Sequence, residues 1–163
     1  MENNTKVLAK GNVNGNYAKM PAELFDYVQL ELITHTDLVV YMKLYDLVNV
    51  VKGYAYPSIP QIMIFTGIKS KATIHRSLKK LVEVGLIEKR RTRWGNNTYL
   101  VYMPLVKAEL YKRYPDNVEK FKAFEAKYVK TAEHDKERFQ QHKLDKQEMS
   151  QSEIQAKQIV PKL

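Results

Sequence analysis

The sequence predicts a mainly α domain carrying one small β-hairpin and followed by a charged helical extension. Apolar residues recur at spacings of three and four through most of residues 17–84. The period shortens to two over 86–103, around the turn-forming run Arg93-Trp94-Gly95-Asn96-Asn97. Residues 104–163 stay helix-favouring while losing apolar content toward their end. A chain of 163 residues suits one compact domain, or one domain plus an extension. With 44% apolar and 28% charged residues it has the composition of a folded protein, which excludes wholesale disorder. The absence of cysteine removes disulfides, thiolate zinc sites and cysteine nucleophiles together. No apolar run approaches the roughly 18 residues that span a bilayer, and Met1 to Asn16 lack the apolar stretch of a signal peptide. The expectation is a cytoplasmic protein with no membrane partner.

Taken in order, residues 1–16 hold five asparagines and little to bury, and read as a flexible arm. Tyr17-Ala18-Lys19-Met20 is a short strand candidate. Pro21 suits the first turn of a helix that continues from Glu23 to Val28, with Leu24 and Tyr27 facing inward. Thr34 or Thr36 caps a longer helix with Asp37 in its first turn. There Leu38, Tyr41, Met42, Tyr45 and Val48 form a stripe that Val39, Leu44, Leu47 and Val51 broaden, which predicts burial on most sides, and Gly53 ends the helix. Pro57 disfavours helix at Tyr56, so Ser58 caps a short helix from Ile59 to about Thr66, with Pro60 in its first turn. Ile59, Ile62, Met63 and Phe65 are its core candidates. Gly67 stops it, and Ser70 caps the next helix, whose apolar stripe is Ile74, Leu78, Leu81 and Val82 and whose end is Gly85.

Two helices joined by a glycine-containing turn describe a helix-turn-helix. The charge lies on it. Residues 69–93 hold nine bases against Glu83 and Glu88, whereas residues 1–68 hold five bases and six acids. This is the footprint expected of a phosphate-backbone binder. At about 100° per residue, Arg76 points away from the face that Ile74 and Leu78 bury. Lys69, Ala72, Thr73, Arg76 and Lys79 or Lys80 then gather on one outward stripe. Arg76 is suited to guanine O6 and N7, and Thr73 to a thymine methyl or base edge. Ala72 permits close approach, and Ser70, Lys69, Lys71 and Lys79 suit phosphates. His75 joins either set or stays solvated. In the hairpin, Lys89, Arg91 and Arg93 alternate on one face with Arg90 on the other, and Trp94 and Asn96 or Asn97 stand near the tip. A basic hairpin of this kind lies along a backbone or places an arginine in a minor groove. Trp94 either contacts the partner or folds back onto the hairpin.

The run from Tyr56-Pro57-Ser58 through Gly67-Ile68, Ser70-Lys71-Ala72-Thr73 and Leu81-Val82-Glu83-Val84-Gly85-Leu86-Ile87 to Asn97-Thr98-Tyr99 resembles the winged helix-turn-helix of bacterial, plasmid and phage regulators. Within that group it is most similar to the front modules of replication initiators and DnaD-like primosomal proteins. The resemblance covers about residues 17–103. It implies a sequence-specific binder of double-stranded DNA, acting as a repressor-like transcriptional regulator or an origin-binding factor in a bacterial or phage-infected cell, associated with nucleoid or plasmid. The implied recognition helix is 70–84 and the implied wing 86–103, with Ser58 and Lys80 added to the contacts above. The tail departs from the pattern, since no helicase-contacting domain follows residue 104. The alternative is a protein-interaction module that scaffolds replication or segregation partners through the winged helix and tail.

The tail, 104–163, opens with a helix candidate from Pro104 to Arg113, interrupted at Tyr114-Pro115-Asp116-Asn117. Val118, Phe121, Phe124 and Tyr128 then make a narrow stripe that fits a homodimer or docking on the domain. Beyond Glu133 the chain is expected to be solvated helix or partly disordered. None of His35, His75, His134 and His142 sits in a zinc-protease spacing, and Thr66-Gly67-Ile68-Lys69-Ser70 lacks the earlier glycine of a phosphate loop. No enzyme activity, cofactor or metal is expected.

Overall fold

The computed structural model describes residues 18–158. The expected arm, 1–16, lies outside them, as do Tyr17 and residues 159–163. The described chain runs α1 (Leu24–Gln29), α2 (His35–Asp46), α3 (Ile59–Thr66), α4 (Lys71–Glu83), β1 (Ile87–Arg91), β2 (Asn97–Val101), α5 (Lys107–Arg113) and α6 (Pro115–Gln158). This is a winged helix-turn-helix followed by a helical extension. Ala18 to Met20 form no strand, which corrects the candidate placed there; all three are exposed and lack an edge to pair with.

Capping chemistry sets the helix starts. Thr34, rather than Thr36, begins α2: its hydroxyl accepts from the Asp37 N–H at 3.2 Å while the Asp37 carboxylate accepts from the Thr34 N–H at 2.8 Å. Ser58 and Gln61 make the same reciprocal pair at α3. Ser70 accepts from the Thr73 N–H at 3.3 Å and begins α4. Gly67 adopts φ +71 at the end of α3, a left-handed conformation that lets the chain turn sharply into α4.

α2 packs on α3 and α4, α3 packs on α4, and α4 packs on β1. The core holds Leu24, Tyr27, Tyr41, Leu44, Ile62, Ile74, Leu81, Leu86, Ile87 and Tyr99, each at most 2% exposed. The buried face of α2 is Asp37, Val40, Tyr41 and Leu44. Its burial on most sides is therefore corrected: Val39 is exposed, and the helix stops at Asp46, not at Gly53. From Asn49 to Tyr54 the chain makes a tight turn, with the Asn49 side chain accepting from the Val51 and Lys52 N–H groups. That leaves Val50 and Val51 more than 90% exposed.

β1 and β2 pair antiparallel with Ile87 opposite Val101, Lys89 opposite Tyr99 and Arg91 opposite Asn97. A third segment joins them. Ala55 and Tyr99 exchange two backbone hydrogen bonds of 2.9 and 2.8 Å, tying the hairpin to the chain just ahead of α3. The Tyr41 hydroxyl donates to the Tyr102 carbonyl at 2.7 Å, and the Tyr27 hydroxyl accepts from the Leu105 N–H at 3.1 Å. Burial pushes the Tyr41 phenol up to about 12 and raises that of Tyr27 as well.

One compact unit ends at Tyr114 and a second begins at Pro115. Within the first unit, Leu110 of α5 is fully buried and Lys107 pairs with Asp26 at 3.4 Å. The second unit is α6, whose helix continues from Pro115 through Gln158 without a break.

Candidate nucleic-acid interface

α4 buries Ile74, Ser77, Leu78 and Leu81, so the helix has a dry side and a wet side. Lys71, Ala72, His75, Arg76, Lys79 and Lys80 are exposed on the wet side, as are Lys69 and Ser70 ahead of it, while Thr73 is half-buried at its margin. Val82, expected in the apolar stripe, is 42% exposed; Ser77 occupies the inner position instead. Arg76 donates to the Thr73 hydroxyl at 3.3 Å, which places the two candidate base-reading side chains side by side. No acid stands in the first turn of α4. Its positive dipole end is therefore not neutralised locally.

The wing has two faces of different electrical character. On one, Arg90 Nε donates to Glu88 Oε1 at 2.6 Å and the Tyr102 hydroxyl donates to Glu88 Oε2 at 2.7 Å. The Arg90 contact holds the Glu88 carboxyl below its usual range, with Tyr102 adding to the effect. On the other, Lys89 and Arg91 pair with no carboxylate among the described residues. Arg93 belongs to the turn beyond β1, so it continues the charge and not the strand alternation. Trp94 is 87% exposed and does not fold back onto the hairpin.

Two clefts flank α4. The first, about 480 Å³, opens between the start of α3, the first turns of α4 and the wing turn. Tyr56, Ser58, Gln61, Lys71, His75 and Gly95 to Asn97 line it, with no carboxylate among them. The second, about 420 Å³, separates α4 from the start of α2 and includes Thr73, Arg76 and Lys80 facing Glu31 and Asp37. The first cleft brings Ser58, Lys71, His75 and Asn96 together, and Arg91 shares the hairpin face of Asn97, its cross-strand partner. α4 and the wing turn thus border one cleft. Lys79 and Lys80 each lie 4.0 Å from Glu83, which dilutes their charge.

Sequence reasoning missed Tyr56 and Gln61 as cleft residues, whereas Asn96 and Asn97, between which it left the choice open, both line the cleft. A signal existed for Gln61: a glutamine three places after a capping serine. The four tail candidates all lie on α6, where Val118 is buried, Phe121 half-buried, and Phe124 and Tyr128 exposed. Their rings form a ladder, with centroids 6.3 Å apart for Phe121–Phe124 and 4.6 Å for Phe124–Tyr128. Among the described residues no group of three His, Asp or Glu side chains is placed to hold a metal, and no helix is long and apolar enough to cross a membrane.

Comparison with known proteins gives three findings. No curated protein matches the chain in sequence. A solved structure described as the N-terminal domain of a DNA-binding protein is similar over 67% of this chain and 92% of its own, at 21% identity and a TM-score of 0.49. Residues 30–87, from the end of α1 through the start of β1, match a family described as a helix-turn-helix domain.

Proposed function

We propose that the protein binds double-stranded DNA sequence-specifically, with α4 in the major groove and the wing on the backbone or in the adjacent minor groove. One observation carries this reading: the carboxylate-free cleft between α4 and the wing turn. A single sugar-phosphate strand separates a major groove from its neighbouring minor groove. A helix in one and a wing in the other must therefore pass that strand between them, where Ser58, Lys71, His75 and Asn96 wait as cationic and hydrogen-bonding groups. Arg76 and Thr73 read bases, while Lys69, Lys71, Lys79 and the wing bases set register. The role that fits is a repressor-like regulator or an origin-binding factor of a plasmid or phage, in keeping with the likeness to initiator and DnaD-like modules. Footprinting on DNA flanking the gene tests it: a short palindrome over the promoter supports the regulator, and tandem repeats at an origin the initiator. On the site so found, Arg76→Ala should cost about 1–3 kcal/mol and flatten preference at one base position. Absence of protection at low and moderate salt alike would refute the reading.

The aromatic ladder of α6 supports a second element, self-association. Phe124 and Tyr128 are more than half exposed and lie against each other on a helix rich in charged residues, which also exposes Val129, Phe139 and Leu144. A homodimer joined there would present two recognition helices to a palindrome. Phe124→Glu should convert a dimer to a monomer in sedimentation equilibrium while leaving the helical content unchanged. If the wild-type chain is monomeric, the ladder belongs instead to a replication or segregation partner.

A further inference from the structure

Trp94 is the chain's single tryptophan, and it stands almost fully exposed at the tip of the wing. The turn that carries it is closed on itself. The Thr92 N–H donates to the Asn96 carbonyl at 2.8 Å, the Gly95 N–H to the Thr92 carbonyl at 2.9 Å, and the Asn96 N–H to the Thr92 hydroxyl at 3.1 Å. Gly95 holds φ +81, which completes the turn. The Trp94 ring makes no ring stack and takes no cation over its face among the described residues. A large π surface is thus presented outward by a hydrogen-bonded turn, when indole is among the side chains that gain most from being covered.

The surroundings select what covers it. Arg91 and Arg93 stand just ahead of Trp94 in the chain, and neither is paired with a carboxylate among the described residues. A flat apolar plate that follows two uncompensated cations in the chain complements a polyanion that contains flat π faces, which is a nucleic acid. A lipid headgroup layer also accepts tryptophan and arginine, but it needs further apolar side chains beside the ring. The turn offers only Gly95, Asn96 and Asn97.

We infer that Trp94 is a base-stacking wedge: it covers the face of a base at an opened step of the bound DNA. This rests on the DNA-binding reading above and adds to it the conformation of DNA that is preferred. Opening a step costs stacking energy, and that cost is least where bases are already unpaired. The protein therefore favours a duplex that is kinked or locally open.

The test uses a synthetic duplex and the same duplex carrying a central bulge of unpaired bases. Binding is followed both by anisotropy of labelled DNA and by the emission of Trp94, which no other tryptophan obscures. The bulged duplex should bind at least about 5-fold more tightly, with emission strongly quenched at saturation. Trp94→Ala should lose about 5- to 150-fold in affinity for it, the range expected of one base–aromatic stack. Its preference for the bulge should vanish, while Trp94→Phe keeps most of both. Because the ring is solvent-facing, the alanine variant should keep the wild-type circular dichroism spectrum. Unchanged emission in a saturated complex, or equal affinities for Trp94→Ala and wild type, would overturn the inference and leave DNA binding standing. Emission that responds to anionic vesicles and not to DNA overturns it in favour of lipid. Failure of the wild-type protein to bind either duplex removes the DNA-binding reading itself.

Discussion

The steepest expectation concerns salt. Nine cations lie between residues 69 and 93, but they are not equivalent. Arg90 is held by Glu88 at 2.6 Å, and Lys79 and Lys80 share Glu83 at 4.0 Å. Lys69, Lys71, Arg76, Lys89, Arg91 and Arg93 remain, all exposed and none paired with a carboxylate among the described residues. If each of the six displaces one counterion from the DNA, Arg76 at its base edge included, the logarithm of the binding constant falls against that of salt with a slope of about −5. Affinity then drops on the order of a thousandfold between about 50 and 200 mM salt. Replacing Lys89, Arg91 and Arg93 together by alanine should bring the slope to about −3, because half of the contacts are gone. Fluorescence anisotropy with a labelled duplex across a potassium chloride series measures both. A wild-type slope shallower than about −2, or a triple variant with the wild-type slope, would refute the assignment of DNA contacts to these side chains.

Two further predictions concern the scaffold. Tyr41→Phe removes the 2.7 Å bond to the Tyr102 carbonyl, and since Tyr102 is partly exposed water can replace the donor. The loss at neutral pH should be about 1 kcal/mol by urea denaturation. The same phenol makes wild-type stability sensitive to alkali. Its folded value of about 12 lies above the unfolded value near 10. Its contribution is complete below pH 10 and is lost as pH rises toward 12, by roughly 2–3 kcal/mol. Tyr41→Phe should lose correspondingly less over that interval. Gly67→Ala has open space for its Cβ but must hold φ +71, so it should cost about 1–2 kcal/mol from backbone strain alone; an unchanged urea midpoint would contradict that account.

Much of the domain was legible because its signals are local. Ser58, Gly67 and Ser70 act on their immediate neighbours, and each stands where its capping or turn chemistry predicts. The outward set on α4 follows from helical period plus an apolar stripe. What escaped notice depends on distant partners. The stripe on α2 was misplaced because the helix is apolar nearly all round, so period alone does not say whether Val40 or Leu38 faces inward. Ala55 gives no local strand signal, yet Tyr99 supplies it with two hydrogen bonds. Leu110 is isolated in a charged segment, and only the fold reveals that it is buried. Trp94 has two readings in the sequence because a hairpin of that length permits both; its exposure removes the folded-back one.

Glu88 deserves a last consequence. By occupying Arg90 and Tyr102 at once, this carboxylate makes the hairpin a blade with a quiet back and an adhesive edge. Polyanions meeting it from behind find a compensated dipole pair, and those meeting it from the other side find uncompensated charge. Under the proposed DNA reading, that asymmetry favours one orientation of a bound strand over its reverse, which keeps a strongly basic segment from behaving as indiscriminate glue.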